Sequence, residues 1–489
     1  MDNIFLPEKE LKSYLRSDKS GGKLFRHQDG QRIPLLPYTT KFSDSVARDV
    51  KEDFKSLDGF IGHCYRQVIG KSLPVDMQKL NFKKTLRQHI LSKAAEITTC
   101  EDVESEKLKA VIDSMFFDED NLLKYGYKAQ LYMFWNGSPT NLNEIGDFIC
   151  QVFFKQEICD IILNERDGKK HVFHTLIDQC LPELVTTSKK KIKNSYHILD
   201  ESVVGSFIED FRFLQNDKSS FLIESALLFK FYYFFYVSRS VLILNDLFNI
   251  KEYQLYFTLE NESVSESRRT YDSGWKIIES KSYNLYSHTV CLDILNHIPL
   301  VEKHGRMSYV QLGTFFDSCD ALEKQELMND VESISQLYFK YAPTDVDWTT
   351  FEDYHNSRKI GTHTWNDFEH LVFKFYTQID FQFEKFGRKS KRNNYAMWFI
   401  TFCKENMLKN RGRSGFSLNL SNEMLLFLTK LCVKDQQKMR LKDLWGEFKK
   451  RGVYFDDPTQ QAIVEIYDKI NLIEKKSDSG DAQYIRPIL

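Results

Sequence analysis

The segment Phe221 to Phe248, FLIESALLFKFYYFFYVSRSVLILNDLF, is apolar on every side of a helix drawn through it. Such a helix is stable only where neighbours cover all its faces, or in a bilayer. Glu224, Lys230 and Arg239 interrupt it, and its longest charge-free run falls far short of the ~20 residues that cross a membrane. The segment therefore predicts a helix buried on most faces, with the block Phe231, Tyr232, Tyr233, Phe234, Phe235 and Tyr236 packed against other helices, and no membrane partner. Its neighbours must come from the rest of the 489 residues, a length that suits two or three domains at about 150 residues each.

Composition points the same way. The chain holds 39 Phe, 24 Tyr and 6 Trp but only 21 Gly and 10 Pro, so large apolar side chains are plentiful and turn-formers scarce. That balance predicts a mostly α fold. A hydrophobic share of 42% with 28% charged residues excludes collagen-like and wholly disordered classes. The first residues, MDNIFLPEKELKSYLRS, lack the basic and apolar regions of a secretory signal, so a cytoplasmic location is expected. Nine widely spaced cysteines without a CxxC read as reduced core thiols.

Along the chain, Leu11 to Tyr38 reads as a loosely held segment or short hairpin. Helical periodicity covers Asp44 to Ile69, Met77 to Thr99, Glu106 to Phe117, Val203 to Leu214, Ser220 to Phe248, Tyr309 to Phe339 and Trp365 to Phe383. The run Tyr127 to Trp135 suits a strand, with a helix starting near Asn141. Glu252 to Leu285 has poor helical phase and reads as a hairpin or long loop. A composition shift at Lys404 to Gly415 separates a helical body from a C-terminal unit. The expected division is 1–130, a helical region; 131–410, an aromatic-rich helical domain ending in a basic segment; and 411–489.

The C-terminal unit is the most legible. Ser421 stands at an N-cap position, with Leu420 and Leu425 spaced as a hydrophobic staple, before a helix from Asn422 to Val433. LKDLWGEFKKRGV makes a second helix, with Gly452 as its stop. Asp457 as cap, Pro458 at the first position and Gln460 beyond start a third. Two short extended runs flank SDSGD, turn chemistry suited to a hairpin. Three helices and a terminal hairpin outline a winged helix, whose third helix enters a major groove in DNA-binding members.

Charge is uninformative over the whole chain, where 67 basic and 69 acidic residues give a net −2. Ser417 to Leu489 carries 12 basic and 11 acidic residues, a net +1, weak for a DNA reader. Thr459, Gln460 and Gln461 at the third helix, and Lys475 and Lys476 by the hairpin, are nevertheless candidate nucleic-acid contacts. Just upstream, Lys385, Arg388, Lys389, Lys391, Arg392, Lys404, Lys409, Arg411 and Arg413 stand against one acid, Glu405, a net +8 over 29 residues. Aromatics interleave with them. The patch suits nucleic acid first, then an acidic protein partner or a solvated connector. Lys189, Lys190, Lys191 and Lys193 form a lesser cluster.

Enzyme signatures are lacking. Gly70-Lys71-Ser72 resembles the end of a phosphate-binding loop, but Tyr65 stands where its first glycine belongs. His171 and His174 have no third ligand at zinc spacing. Asp272 with Glu279-Ser280-Lys281 matches the carboxylate-lysine pattern of a metal-dependent nuclease only loosely, and Asp118, Glu119 and Asp120 read as a solvated helix end. No catalytic residue, metal or cofactor is expected.

The C-terminal string RGVYFDDPTQQAIVEIYDKINLIEKKSDSGDAQYIRPIL resembles the end of the DptG (DndG) family, the G component of bacterial DNA phosphorothioation-dependent restriction systems. The likeness spans Arg451 to Arg486 and is most distinctive at Ser477 to Tyr484, SDSGDAQY. It implies a non-catalytic subunit of an antiphage defence complex, acting with F and H components that carry the ATPase motifs on DNA lacking the sulfur modification. A scaffold that bridges those partners without touching DNA is the alternative.

Overall fold

A computed structural model describes residues 16–17, 25–26, 32–74, 81–98, 102–135, 139–164, 171–187, 195–263, 268–341, 346–359, 361–362, 364–385, 388–475 and 483–488. The protein is mostly helical, with only short strands. The apolar segment forms the helix Lys218–Asp246, hereafter the central helix. It is long and apolar enough to cross a membrane, but 78% of its most apolar window is buried inside the protein, so its surface is already covered.

The aromatic block does this on several sides at once. Tyr232 meets Phe207 at 5.3 Å between ring centroids, Tyr233 meets Phe402 at 4.7 Å and Phe234 stacks on Phe399 at 6.2 Å. These partners come from the helices Glu201–Gln215 and Lys389–Asn406. Trp275–Ser282, Leu285–Leu295 and Asn422–Val433 close the remaining sides. Most of the buried apolar residues form one continuous cluster from Ile33 to Ile485, and Val346, Phe351 and Phe381 form a small second one.

Several expected elements differ in physically explicable ways. Asp44 to Ile69 is two helices, Asp44–Ser56 and Asp58–Val68, broken where Leu57 takes φ 61°. Tyr309 to Phe339 is likewise split into Tyr309–Ser318 and Ala321–Tyr341, because the Asp320 carboxylate accepts from the amides of Leu322 and Glu323 and starts a new helix. Tyr127 to Trp135 is no strand: it opens as the helix Tyr127–Gln130, and Gly59 and Gly62 let a neighbouring helix approach its backbone so closely that a Cβ on either would clash. Glu252 to Leu285 holds a two-residue strand, Thr258–Leu259, and the helices Arg269–Asp272 and Trp275–Ser282. The N-terminal segment is held firmly from residue 32 onward. Ile33, Leu35 and Leu36 are core residues, and Trp398 Nε1 donates to Thr39 O at 2.9 Å.

The C-terminal helices Asn422–Val433, Leu441–Lys450 and Asp457–Lys469 lie where the signals put them. Ser421 Oγ accepts from Met424 N at 3.1 Å, while the third cap is Asp456, one residue earlier than expected. Strands Met439–Arg440, Ile473–Lys475 and Gln483–Ile485 form an antiparallel sheet with Gln483–Ile485 in the middle. The SDSGD turn lies outside the described residues. Ahead of this unit, Phe416–Leu420 pairs antiparallel with Leu408–Asn410 and parallel with Thr258–Leu259, so the unit is stitched to the body through main-chain bonds.

A buried ion pair completes the junction. Arg451 donates from Nε and Nη2 to the Asp210 carboxylate at 3.0 and 2.8 Å, and Tyr232 of the central helix donates to the same carboxylate at 2.6 Å. Asp210 is fully buried, so removing Arg451 leaves a charge without its main partner. We expect Arg451→Leu to destabilise the protein by about 3 kcal/mol, read as a lowered Tm, while the exposed Arg440→Ala changes it by under about 0.5 kcal/mol.

Candidate nucleic-acid interface

The basic patch does not act as one surface. Its core is the helix Lys389–Asn406, whose middle is buried through Tyr395, Trp398, Phe399 and Phe402. The basic residues are therefore split between the two ends of a helix about 27 Å long. Lys385, Arg388, Lys389, Lys391 and Arg392 lie at its start, and Lys404, Lys409, Arg411 and Arg413 at and beyond its end.

At the far end most of the charge is committed to structure. Arg411 donates to Glu262 O at 2.8 Å, Thr258 Oγ1 at 3.0 Å and Ser417 Oγ at 3.2 Å, locking together the strands that join body and C-terminal unit. Lys409 donates to Glu260 O, and Lys404 lies over the Phe416 ring at 5.4 Å. Arg413 is exposed.

At the near end, Arg392 corrects the sequence reading most sharply. Its side chain is 5% exposed and is held by Asp380 at 2.8 Å and by Glu384. Asp380 is the hub: it also accepts from Ser287 Oγ at 2.7 Å, Tyr354 OH at 2.5 Å and Arg358 Nη2 at 3.0 Å. Burial alone would raise its pKa, but the two guanidiniums and these hydrogen bonds hold it below the ordinary carboxylate value. Beside it, His288 stacks on Tyr376 with centroids 4.1 Å apart, and burial pushes its pKa down to about 3.

Above this hub opens a cleft of about 890 Å³. Six cationic residues line it: Lys276, Lys281, Arg358, Lys385, Lys389 and Arg392, with two acids, Glu279 and Glu384. Four of the six are tied down. Arg358 and Arg392 belong to the Asp380 hub, Lys389 pairs with Glu384 at 2.5 Å, and Lys281 lies 3.6 Å from Asp246. Lys276 and Lys385 are exposed and have no acidic partner among the described residues. The cleft thus unites the start of the basic patch with Lys276, Lys281 and Arg358, which lie 109, 104 and 27 residues before Lys385. Besides the basic run, the Glu279-Ser280-Lys281 motif is the one part of this place that the sequence singles out. It sits on a helix, Trp275–Ser282, rather than the strand a nuclease would need.

The third C-terminal helix is corrected as well. Thr459 is fully buried: its hydroxyl donates to the Glu262 carboxylate at 3.0 Å and accepts from Arg268 at 2.7 Å. Arg268 also grips Asp456 at 2.5 Å, so Thr459 is sealed against the body and cannot reach a base, although Asp457 and Pro458 beside it are exposed. Gln460 donates to Phe455 O at 2.9 Å, and the exposed Gln461 turns to Glu465. Lys475 ends the strand Ile473–Lys475, while Lys476 and the Lys189 to Lys193 cluster lie outside the described residues.

Other motifs resolve into structural roles. Lys71 and Ser72 form a short strand paired with Val185–Thr186. His171 caps the helix Val172–Cys180, and no group of metal-ligating residues occurs among the described residues. Asp120 pairs with Arg87 at 3.0 Å. The eight described cysteines carry free thiols. No protein-family model matches the chain, and no curated protein is significantly similar to it.

The hub makes a pH prediction. His288 binds a proton far less readily folded than unfolded, so the stability it confers is complete above about pH 6.5 and is lost as pH falls towards about 3. The Asp380 contribution is present above about pH 4, the unfolded carboxylate value, and is lost as pH falls through its lower folded value. Tm measured from pH 7 to 3 should therefore decline, and His288→Phe should flatten the upper part of that decline. Asp380→Asn should lower Tm at pH 7 and flatten the part below about pH 4.

Proposed function

We propose that the protein is a non-catalytic, DNA-associated subunit of a phosphorothioation-dependent restriction complex, working in the cytoplasm with ATPase-bearing F and H components. The observation that carries DNA association is the gathering of cations from three separate stretches of sequence round one cleft, with Lys276 and Lys385 exposed and without an acidic partner among the described residues. The exposed Lys391 at the start of the same helix extends that positive rim. Phosphate contacts require ammonium and guanidinium groups held ready in this way. The restriction assignment rests on the resemblance of Arg451 to Arg486 to the DptG family.

Three helices and a small antiparallel sheet, one strand of which lies between the first two helices, support reading the C-terminal unit as a winged helix. Its third helix exposes Asp457, Glu465 and Asp468 against Lys469, a face that repels phosphate. We therefore assign this helix to a protein partner and the DNA contact to the cleft. The competing scaffold reading, with no DNA contact at all, draws on this same acidic face.

Salt-titrated binding to unmodified and phosphorothioated duplexes tests the proposal. We expect log K to fall with log salt at a slope of about −3 to −5, as counterions are released from several phosphates. The triple reversal Lys276→Glu, Lys385→Glu, Lys391→Glu, at three exposed positions, should abolish binding while Tm is kept. Unchanged binding by that variant, or none by the native chain at low salt, would leave the scaffold reading standing.

A further inference from the structure

The cleft is concave, and its volume of about 890 Å³ falls within the 300–1,000 Å³ range typical of small-ligand pockets. A duplex presents its phosphates on a convex rod whose major groove alone is about 12 Å wide, so it can rest on the rim but cannot enter. A single nucleotide can. Its two recognition elements are both on the walls.

For the phosphate there are Lys276 and Lys385, exposed ammoniums with no acid of their own among the described residues. The other four cations are fixed in place by Asp246, Asp380 and Glu384, so they supply positive potential from a rigid frame without having to be ordered on binding. For the base there is Tyr283, half-buried and lining the cleft. Tyr354 also lines the cleft, but its ring is covered by Arg358 at 4.7 Å and packed on Phe381 at 5.3 Å, so it serves as wall and not as a stacking face. Aromatic faces beside fixed cations are the general means of holding an unpaired base and its phosphate.

We propose that this cleft binds one unpaired nucleotide, its phosphate on Lys276 and Lys385 and its base against Tyr283. The inference rests on the reading that the cleft meets nucleic acid, and it adds that a single-stranded or extruded nucleotide is what enters. A free mononucleotide would satisfy the same chemistry.

The test uses the full chain with a fluorescein-labelled dT12 strand, the same sequence as a labelled duplex, and dTMP as competitor. Single-stranded dT12 should bind at least about tenfold tighter than the duplex. Tyr283→Ala should remove that preference and leave duplex binding in place, whereas Lys276→Glu, which reverses one of the exposed cations of the cleft, should weaken the binding of both forms. Lys107→Glu, an equal charge change on the helix Asp102–Phe116, should alter neither. Displacement of dT12 by dTMP identifies the free nucleotide as sufficient, and failure of dTMP to compete identifies a nucleotide within a strand. Should Tyr283→Ala fail to fold, Tyr283→Leu, which keeps apolar bulk and removes the aromatic face, carries the test. Equal binding of strand and duplex, or a preference that Tyr283→Ala leaves unchanged, would overturn the inference and leave the proposed DNA association intact. No binding of either form at low salt would overturn both.

Discussion

The covering of one long apolar helix organises this protein. A 29-residue helix whose faces are all apolar offers no side to water, so every element near it must turn an apolar face inward. Tyr232, Tyr233 and Phe234 point to different neighbours, and those neighbours come from sequence positions as distant as Tyr38 and Phe402. One continuous core from Ile33 to Ile485 is the consequence. At the bottom of the C-terminal unit the constraint shows again. Gly452 takes φ 70° with Phe235 of the central helix so near that an added Cβ would fall 2.6 Å from its ring.

Two buried aspartates do for charge what the central helix does for apolar surface. Asp210 receives Arg451, Lys434 and Tyr232, and so fastens the C-terminal unit to the body. Asp380 receives Arg358, Arg392, Tyr354 and Ser287, and so fastens the floor of the cleft. A carboxylate taken fully out of water must be paired and hydrogen-bonded. Each therefore draws basic residues out of the count of those free to meet a ligand. This is why nine basic residues in a row of 29 do not make nine contacts.

Local signals were read well wherever the information lies within a few residues. The cap Ser421, the staple Leu420 and Leu425 and the stop at Gly452 are short-range chemistry, and the three C-terminal helices follow from them. The breaks at Leu57 and Asp320 were missed because the apolar spacing continues through both. The region Glu252 to Leu285 was missed because its elements are short and depend on partners elsewhere, such as the pairing of Thr258–Leu259 with Phe416–Leu420. Of the cleft, the sequence displayed Lys385 to Arg392 as a charged run and Glu279 to Lys281 as an isolated motif, with nothing to join them.

From the sequence alone came the helical class, the burial of the Phe221 to Phe248 helix and the outline of the C-terminal unit, because periodicity, capping and exclusion of water act over short distances. The tertiary structure alone decided which cations stay free. Arg392 and Arg358 turn inward because Asp380 is buried between them, Thr459 is sealed by Arg268 and Glu262, and Lys276 comes to stand with Lys385 across one cleft. Charge in a sequence is a sum, whereas the field at a surface depends on which charges have already found a partner in the fold.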